Sequence, residues 1–140
     1  MRSGRCLCGA VTYTLEEPAE AAAICHCAMC RRWAGGPFFA VHCTQPVVFN
    51  GEENITRYRS SDWAERGFCS RCGTSLFYHL IPSGEHIISA FTLDEQSDLR
   101  LASQIFIDEK PALYSFADAT PVLTGAEVFA QFQRPEGGGA

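Results

Sequence analysis

The chain has 140 residues, a formal net charge of −5 and a single lysine, Lys110. With 46% hydrophobic and 19% charged residues it reads as a folded, globular sequence rather than a disordered one. The acidic balance leaves no basic footprint for nucleic acid, and no apolar run approaches the ~20 residues of a membrane span.

The opening Met1-Arg2-Ser3-Gly4-Arg5-Cys6 has no apolar stretch behind its arginines and so is not a secretory signal. Ala10 to Leu15 alternates, with Val11, Tyr13 and Leu15 on one face and Thr12 and Thr14 on the other, which predicts a half-buried strand. Ala28 to Ala34 predicts one or two helical turns. Pro37 to His42 and Val47 to Phe49 are short apolar runs closed by Gln45-Pro46 and Asn50-Gly51. Thr56 to Ser60 alternates again. Thr74 to Leu80 and Glu85 to Leu93 flank Pro82-Ser83-Gly84, a hairpin signal. Asp94 to Leu101 reads as a short helix or a loop, and Gln104 to Ile107 as one more strand. The sequence after residue 133, rich in glycine, predicts a flexible tail over 134–140. With no repeat and no linker, residues 1–133 are expected to form one mostly-β domain of short antiparallel sheets.

Eight cysteines need a physical reason. A disulfide framework fits poorly, because the cysteines cluster one to three residues apart, where mutual bonding is strained. Such spacing suits a shared metal in a reducing, cytoplasmic setting. Cys69-Ser70-Arg71-Cys72-Gly73 has the form of a zinc knuckle, and Cys6-Leu7-Cys8-Gly9 supplies a second pair. Together Cys6, Cys8, Cys69 and Cys72 make a closed, structural four-thiolate set. Cys25-His26-Cys27-Ala28-Met29-Cys30 offers three thiolates, Cys25, Cys27 and Cys30. Three protein ligands leave one position for a substrate, as in catalytic zinc sites, and a thiol bound there is deprotonated outright. Cys43 lies in an apolar run and reads as a buried, inert residue, with a fourth ligand to the open site as the alternative. His26 is expected to orient its neighbours through a hydrogen bond rather than to bind metal. His42, His79 and His86 read as ordinary half-buried strand residues. Arg31 and Arg32 are either a solvated turn or a clamp for a substrate carboxylate. Trp33, Phe38 and Phe39 read as core, and Gly35-Gly36-Pro37 as a tight loop.

In this order the three clusters resemble the glutathione-dependent formaldehyde-activating enzyme family, which also includes centromere protein V. The match is carried by Cys6-Leu7-Cys8-Gly9, Cys25-His26-Cys27-Ala28-Met29-Cys30-Arg31, Gly35, Phe38 and Phe68-Cys69-Ser70-Arg71-Cys72-Gly73-Thr74. It runs from Gly4 to the Lys110-Pro111 region. The resemblance implies a β-tent fold and two zinc ions per chain. It implies a structural zinc on Cys6, Cys8, Cys69 and Cys72, and a catalytic, more labile one on Cys25, Cys27 and Cys30. The implied activity is that of a carbon–sulfur lyase joining formaldehyde to glutathione. The chain departs from the family pattern where Gln104 precedes Ile105-Phe106 in place of a histidine, and where Leu113-Tyr114 follows Lys110-Pro111-Ala112 in place of a tryptophan. Both changes lie outside the cysteines and bear on the choice of thiol. The expected partner is therefore a small thiol, glutathione or an analogue. A non-catalytic thiol carrier and a zinc-stapled interaction module are the alternatives.

Overall fold

A computed structural model of the chain describes residues 1–16 and 20–132. The tail expected at 134–140 lies outside the described residues. In chain order the elements are β1 (Arg2–Arg5), β2 (Thr12–Leu15), β3 (Ala21–Cys25), α1 (Ala28–Ala34), β4 (Phe38–Cys43), β5 (Val48–Asn50), β6 (Ile55–Arg59), β7 (Ala64–Cys69), β8 (Ser75–Leu80), β9 (His86–Ser89), β10 (Arg100–Ile105), β11 (Val122–Leu123) and α2 (Gly125–Phe132). The protein is mostly β, as its short alternating runs predict. Residues 94–99 form a loop rather than a helix. Short single helical turns follow β9 and β10 at Ala90–Thr92 and Ile107–Glu109.

Two sheets share the core. The smaller is antiparallel, in the order β1-β2-β5. The larger runs β11-β10-β3-β4-β9-β8-β7-β6 and is antiparallel except where β10 pairs in parallel with β3 and β11. Val11, Tyr13 and Leu15 all point inward, so the alternation read around β2 is the one the fold uses. They pack with Val41, Cys43, Leu76, Phe77, Ile88 and Leu93 between the sheets. The buried Tyr13 hydroxyl shares a 2.7 Å hydrogen bond with the Thr92 hydroxyl, so the ring fills the core without orphaning its polar end. Gly51 ends β5 with φ +80, and a Cβ there would collide with the Ala10 carbonyl. Only glycine satisfies both conditions.

The strand β7 runs through the fold from one end of β8 to the other. Its ladder with β8 shifts register opposite Gly67 and Phe68, where Leu76 of β8 is the extra residue, and Gly67 lies under the Phe77 ring. Ala64 and Arg66 are buried on one face and Gly67 and Cys69 on the other, so no polar and apolar alternation marks the strand in its sequence. β3 is hidden for another reason. Three of its five residues are alanine, which has little strand preference of its own.

The β8–β9 hairpin stacks His79 on His86, with ring centroids 4.4 Å apart and planes 18° from parallel. Glu65 accepts hydrogen bonds from Arg57 (3.0 Å) and shares one with His79 (3.1 Å), while Phe49 and Phe77 flank His86. Burial, and then the charges of His79 and Arg57, push the His86 imidazole down to about 4. Its folded pKa thus lies below its unfolded value. As pH falls from about 6.5 to about 4, the unfolded chain takes up a proton that the fold refuses, and stability drops. The loss at this half-buried site should be ~1–3 kcal/mol after solvent screening. His86→Phe keeps the stack and removes the titration. Its denaturant midpoint should fall less steeply than that of the parent between pH 6.5 and 4, and equal slopes would remove His86 as the source.

Candidate metal centres

The first four-sulfur group is built from two turns of the same design. After β1 the chain turns at Gly9 (φ +81), with the Cys6 amide bonded to the Val11 carbonyl and the Gly9 amide to the Cys6 carbonyl. After β7 it turns at Gly73 (φ +81), with the Cys69 amide bonded to the Thr74 carbonyl and the Gly73 amide to the Cys69 carbonyl. Each turn aims amides at sulfur. The Val11 N–H donates to Cys6 Sγ, and the Arg71 and Cys72 N–H groups donate to Cys69 Sγ, all at 3.4 Å. The Leu7 amide crosses to Thr74 Oγ1 at 3.0 Å and ties the turns together.

All four Sγ atoms lie within 4.8 Å of one another. Cys6 and Cys8 are 3.7 Å apart and Cys8 and Cys69 3.8 Å. A tetrahedron with Zn–S bonds of about 2.3 Å has edges of about 3.8 Å, so these separations fit one zinc ion. Disulfide bonding, at about 2.05 Å, is excluded at these distances. Cys6 and Cys69 are fully buried, while Cys8 is exposed and Cys72 half-buried.

The second group contains Cys25, Cys27 and Cys30, whose Sγ atoms also lie within 4.8 Å of one another. Cys25 ends β3, and Cys27 is the N-cap of α1, its sulfur accepting the Cys30 amide at 3.3 Å. Cys30 sits in the first turn of α1, which Gly35 closes with φ +81 and a bond to the Arg31 carbonyl. The helix start supplies amides that favour negative sulfur. Cys25 and Cys30 are buried; Cys27 reaches the surface. Around them pack Phe38, Trp33, Tyr78, Ile87, Ile105 and Phe106. Hydrogen bonds from Cys25 and then Cys30 hold the Cys27 thiol far below its ordinary range, while Cys27 and Cys30 drive Cys25 up. Three sulfurs this close therefore do not all ionise by themselves. A cation among them removes the repulsion, so the donor set fits a metal ion.

The other sequence candidates fall into distinct places. Cys43 is fully buried in the main core, apart from both sulfur groups. The Arg31 Nε donates to the His26 carbonyl at 2.9 Å. Arg32 is exposed and lines a groove of about 520 Å³ with Trp33, Phe38, Phe39 and Phe91. His42, His79 and His86 lie on β4, β8 and β9, away from both sulfur groups.

His26 is fully buried. Its Nε2 lies 2.8 Å from Gln104 Oε1 and its Nδ1 2.8 Å from the Tyr114 hydroxyl. Gln104 in turn donates to Thr120 Oγ1 at 3.1 Å. The neutral ring thus donates to Gln104 and accepts from Tyr114. The His26 amide bonds the Ile105 carbonyl and prolongs the β3–β10 pairing, so the ring pins the peptide between Cys25 and Cys27 to β10. Gln104, and Tyr114 of the Leu113-Tyr114 pair, lie in the two stretches that depart from the family pattern, and both meet on this one ring.

Sequence reasoning missed Arg66. It is 4% exposed, and its Nη1 donates to Cys30 Sγ at 3.5 Å. The signal was a single arginine on the inward phase of a strand whose pattern was not recognised. Glu109, whose carboxylate accepts the Ala28 amide at 2.9 Å at the start of α1, was also missed.

Gln104→Ala would leave the buried His26 Nε2–H without an acceptor. The expected cost is about 1–3 kcal/mol, read as a shift in denaturant midpoint. Gln104→Glu should cost less, and an alanine variant as stable as the parent would show that the ring is held by other contacts.

The chain matches the family described as glutathione-dependent formaldehyde-activating enzyme over residues 1–109. It is 38% identical over 128 residues to a Schizosaccharomyces pombe protein named an uncharacterized lyase, covering 89% of this chain and 92% of that one. It is 30% identical over 105 residues to a Halomonas elongata protein provisionally named a glutathione-dependent formaldehyde-activating enzyme, covering 69% of this chain and 66% of that one. A crystal structure of a Rhodobacter sphaeroides protein is similar to it with a TM-score of 0.53 and 29% identity, covering 66% of this chain and 87% of that one. Its motifs, its two sulfur groups and these relatives agree, and the chain belongs to the glutathione-dependent formaldehyde-activating enzyme family.

Proposed function

We propose that the protein is a zinc-dependent carbon–sulfur lyase that joins a small thiol, glutathione or an analogue, to an aldehyde such as formaldehyde. The observation that carries this reading is a three-sulfur group, Cys25, Cys27 and Cys30, separate from the four-sulfur group and reaching the surface at Cys27. Family membership supplies the reaction class. A zinc ion held by Cys25, Cys27 and Cys30 would supply a fourth position where the substrate thiol is bound as thiolate. The thiol sulfur forms a bond to the aldehyde carbon, the carbonyl π electrons move to oxygen, and the thiol proton ends there, giving the S-hydroxymethyl adduct.

The chain's own residues prepare this step. The N-cap of α1 holds Cys27 and Cys30 in register through the Cys30 amide. His26 fixes the peptide between Cys25 and Cys27. Phe38, Trp33, Tyr78 and Ile105 exclude water from the buried side of the group. Arg32 stands at the rim of the neighbouring groove, where it would meet a substrate carboxylate, with Arg31 beside it.

In this reading Cys6, Cys8, Cys69 and Cys72 hold a second, structural zinc, and residues 1–133 act as one unit. All eight cysteines are free of disulfides, which suits a reducing compartment such as the cytoplasm. No described helix is long and apolar enough to cross a membrane. The net charge of −5 argues against nucleic acid as the partner.

Adduct formation from glutathione and formaldehyde, followed by NMR, should be faster with zinc-loaded protein than without it. A rate unchanged by stoichiometric protein, with glutathione still bound in calorimetry, would turn the reading into that of a thiol carrier. No binding would leave an interaction module. The two groups should also separate by metal content. The wild type should carry two zinc ions, and Cys27→Ala one, with thermal unfolding nearly intact and activity lost. Cys69→Ala should fail to fold, because gross zinc binding of ~10–16 kcal/mol matches a domain's whole net stability of ~5–15 kcal/mol. A folded Cys69→Ala with one zinc would overturn this division.

A further inference from the structure

Among the described residues Arg66 is the one buried arginine, and the main core does not account for it. It projects from β7 with its guanidinium carbon 5.2 Å from the centre of the Trp33 ring and 4.9 Å from that of its cross-strand partner Tyr78. These two rings fix its orientation. Among the described residues no carboxylate lies within ion-pairing distance of it, whereas Arg2 and Arg57 both have such partners. Burying a lone charge costs several kcal/mol unless a negative group meets it. The group its Nη1 does meet is Cys30 Sγ, at 3.5 Å.

We infer that Arg66 is the fixed counter-charge of the three-sulfur group, a positioning residue that favours an anionic fourth ligand over a neutral one. This rests on reading Cys25, Cys27 and Cys30 as a metal centre with an open position. The charge balance gives the reason. Three thiolates and a divalent cation sum to −1, and a substrate thiolate would raise this to −2 in an apolar setting. Arg66 returns the resting centre to zero and the substrate-bound centre to −1. The charge change on binding a thiolate is then no worse than that of one buried anion. The guanidinium cannot deprotonate, so this bias holds across the working pH range. Among the described residues no cation bonds a sulfur of the four-sulfur group; Arg5 Nη1 donates to the Cys6 and Leu7 carbonyls of its turn instead. The sulfurs of that group receive backbone amides only, plus the Thr74 hydroxyl at Cys72, as suits a closed site with no ligand to attract.

The test uses the full chain loaded with Co²⁺, whose thiolate absorption reports the ligand set. The four-sulfur group is closed, so a spectral change on adding a ligand reports the three-sulfur group. Mercaptoethanol, which binds as an anion, is titrated against imidazole, which binds neutral. Arg66→Gln should weaken mercaptoethanol by about tenfold or more, as expected for removing one charge near contact distance at intermediate dielectric. Imidazole should change by less than about threefold, and Arg66→Lys should recover most of the thiol affinity. Equal losses for both ligands, or no loss for either, would overturn the inference. So would an Arg66→Lys variant as weak toward thiol as Arg66→Gln. Should Arg66→Gln fail to fold, Arg66→Lys carries the comparison: thiol affinity within threefold of wild type supports the charge role, and a tenfold loss overturns it. A wild type whose spectrum does not respond to mercaptoethanol would instead overturn the open-site reading itself, and the inference with it.

Discussion

Four sulfurs from two distant turns, held within 4.8 Å of one another, are the constraint on which the rest of the molecule depends. The turn after β1 belongs to the three-stranded sheet and the turn after β7 to the eight-stranded one. β1 is an edge strand of four residues, Arg-Ser-Gly-Arg, with only Gly4 buried. Such a strand contributes almost no apolar area; its ladder with β2, the Arg2–Asp98 ion pair and the Ser3–Asp94 bonds hold it, together with the turn at Cys6 and Cys8 that follows it. A cation on these sulfurs closes a loop of some sixty residues and joins the sheets where the Leu7 amide already reaches Thr74. The sheets in turn enclose Tyr13, Phe77 and Val41, so the main core and the sulfur clamp define each other.

The second group solves a different problem with different means. Its sulfurs come from one short segment, so they need no long-range closure. What they need is orientation, and three neighbours supply it. The α1 N-cap sets Cys27 against Cys30, the His26 ring ties the intervening peptide to β10, and Arg66 reaches in from β7. Each support comes from a different element, which lets the sulfur group itself stay partly open at Cys27. A site made only of its own hexapeptide would be too flexible to discriminate between a bound metal with three protein ligands and one that recruits a fourth.

Much of this was legible in the residues. Cysteine spacing separated a four-sulfur group from a three-sulfur one because chelation is local within each motif. Ala28–Ala34 is a helix with the limits its pattern gives, and the alternation of Val11, Tyr13 and Leu15 points the way it reads. What stayed hidden were contacts made across strands that the sequence disguises. β7 is buried on both faces and has a glycine under Phe77, β3 is largely alanine, and β1 is polar, so none announces itself by periodicity. Losing β7 meant losing Arg66. The His26 network was half legible. The family departures at Gln104 and at Leu113-Tyr114 stood out singly, but only the fold brings Gln104 and Tyr114 to the same ring.

β7 also orders the two groups in a hierarchy. It contributes Cys69 to the first and, three residues earlier, Arg66 to the second. Because side chains alternate along a strand, two inward residues three apart would ordinarily fall on opposite faces. They do so here, and each face of β7 meets a different part of the protein: Arg66 lies against Trp33 and Tyr78, while Cys69 joins the main core. The burial of both faces, which obscures β7 in the sequence, is therefore what allows one strand to serve both sites. A slip of β7 at the clamp would carry Arg66 off Cys30, whereas rearrangement around Cys27 leaves Cys69 in place. On the proposed reading the dependence runs one way, from the four-sulfur group to the three-sulfur group.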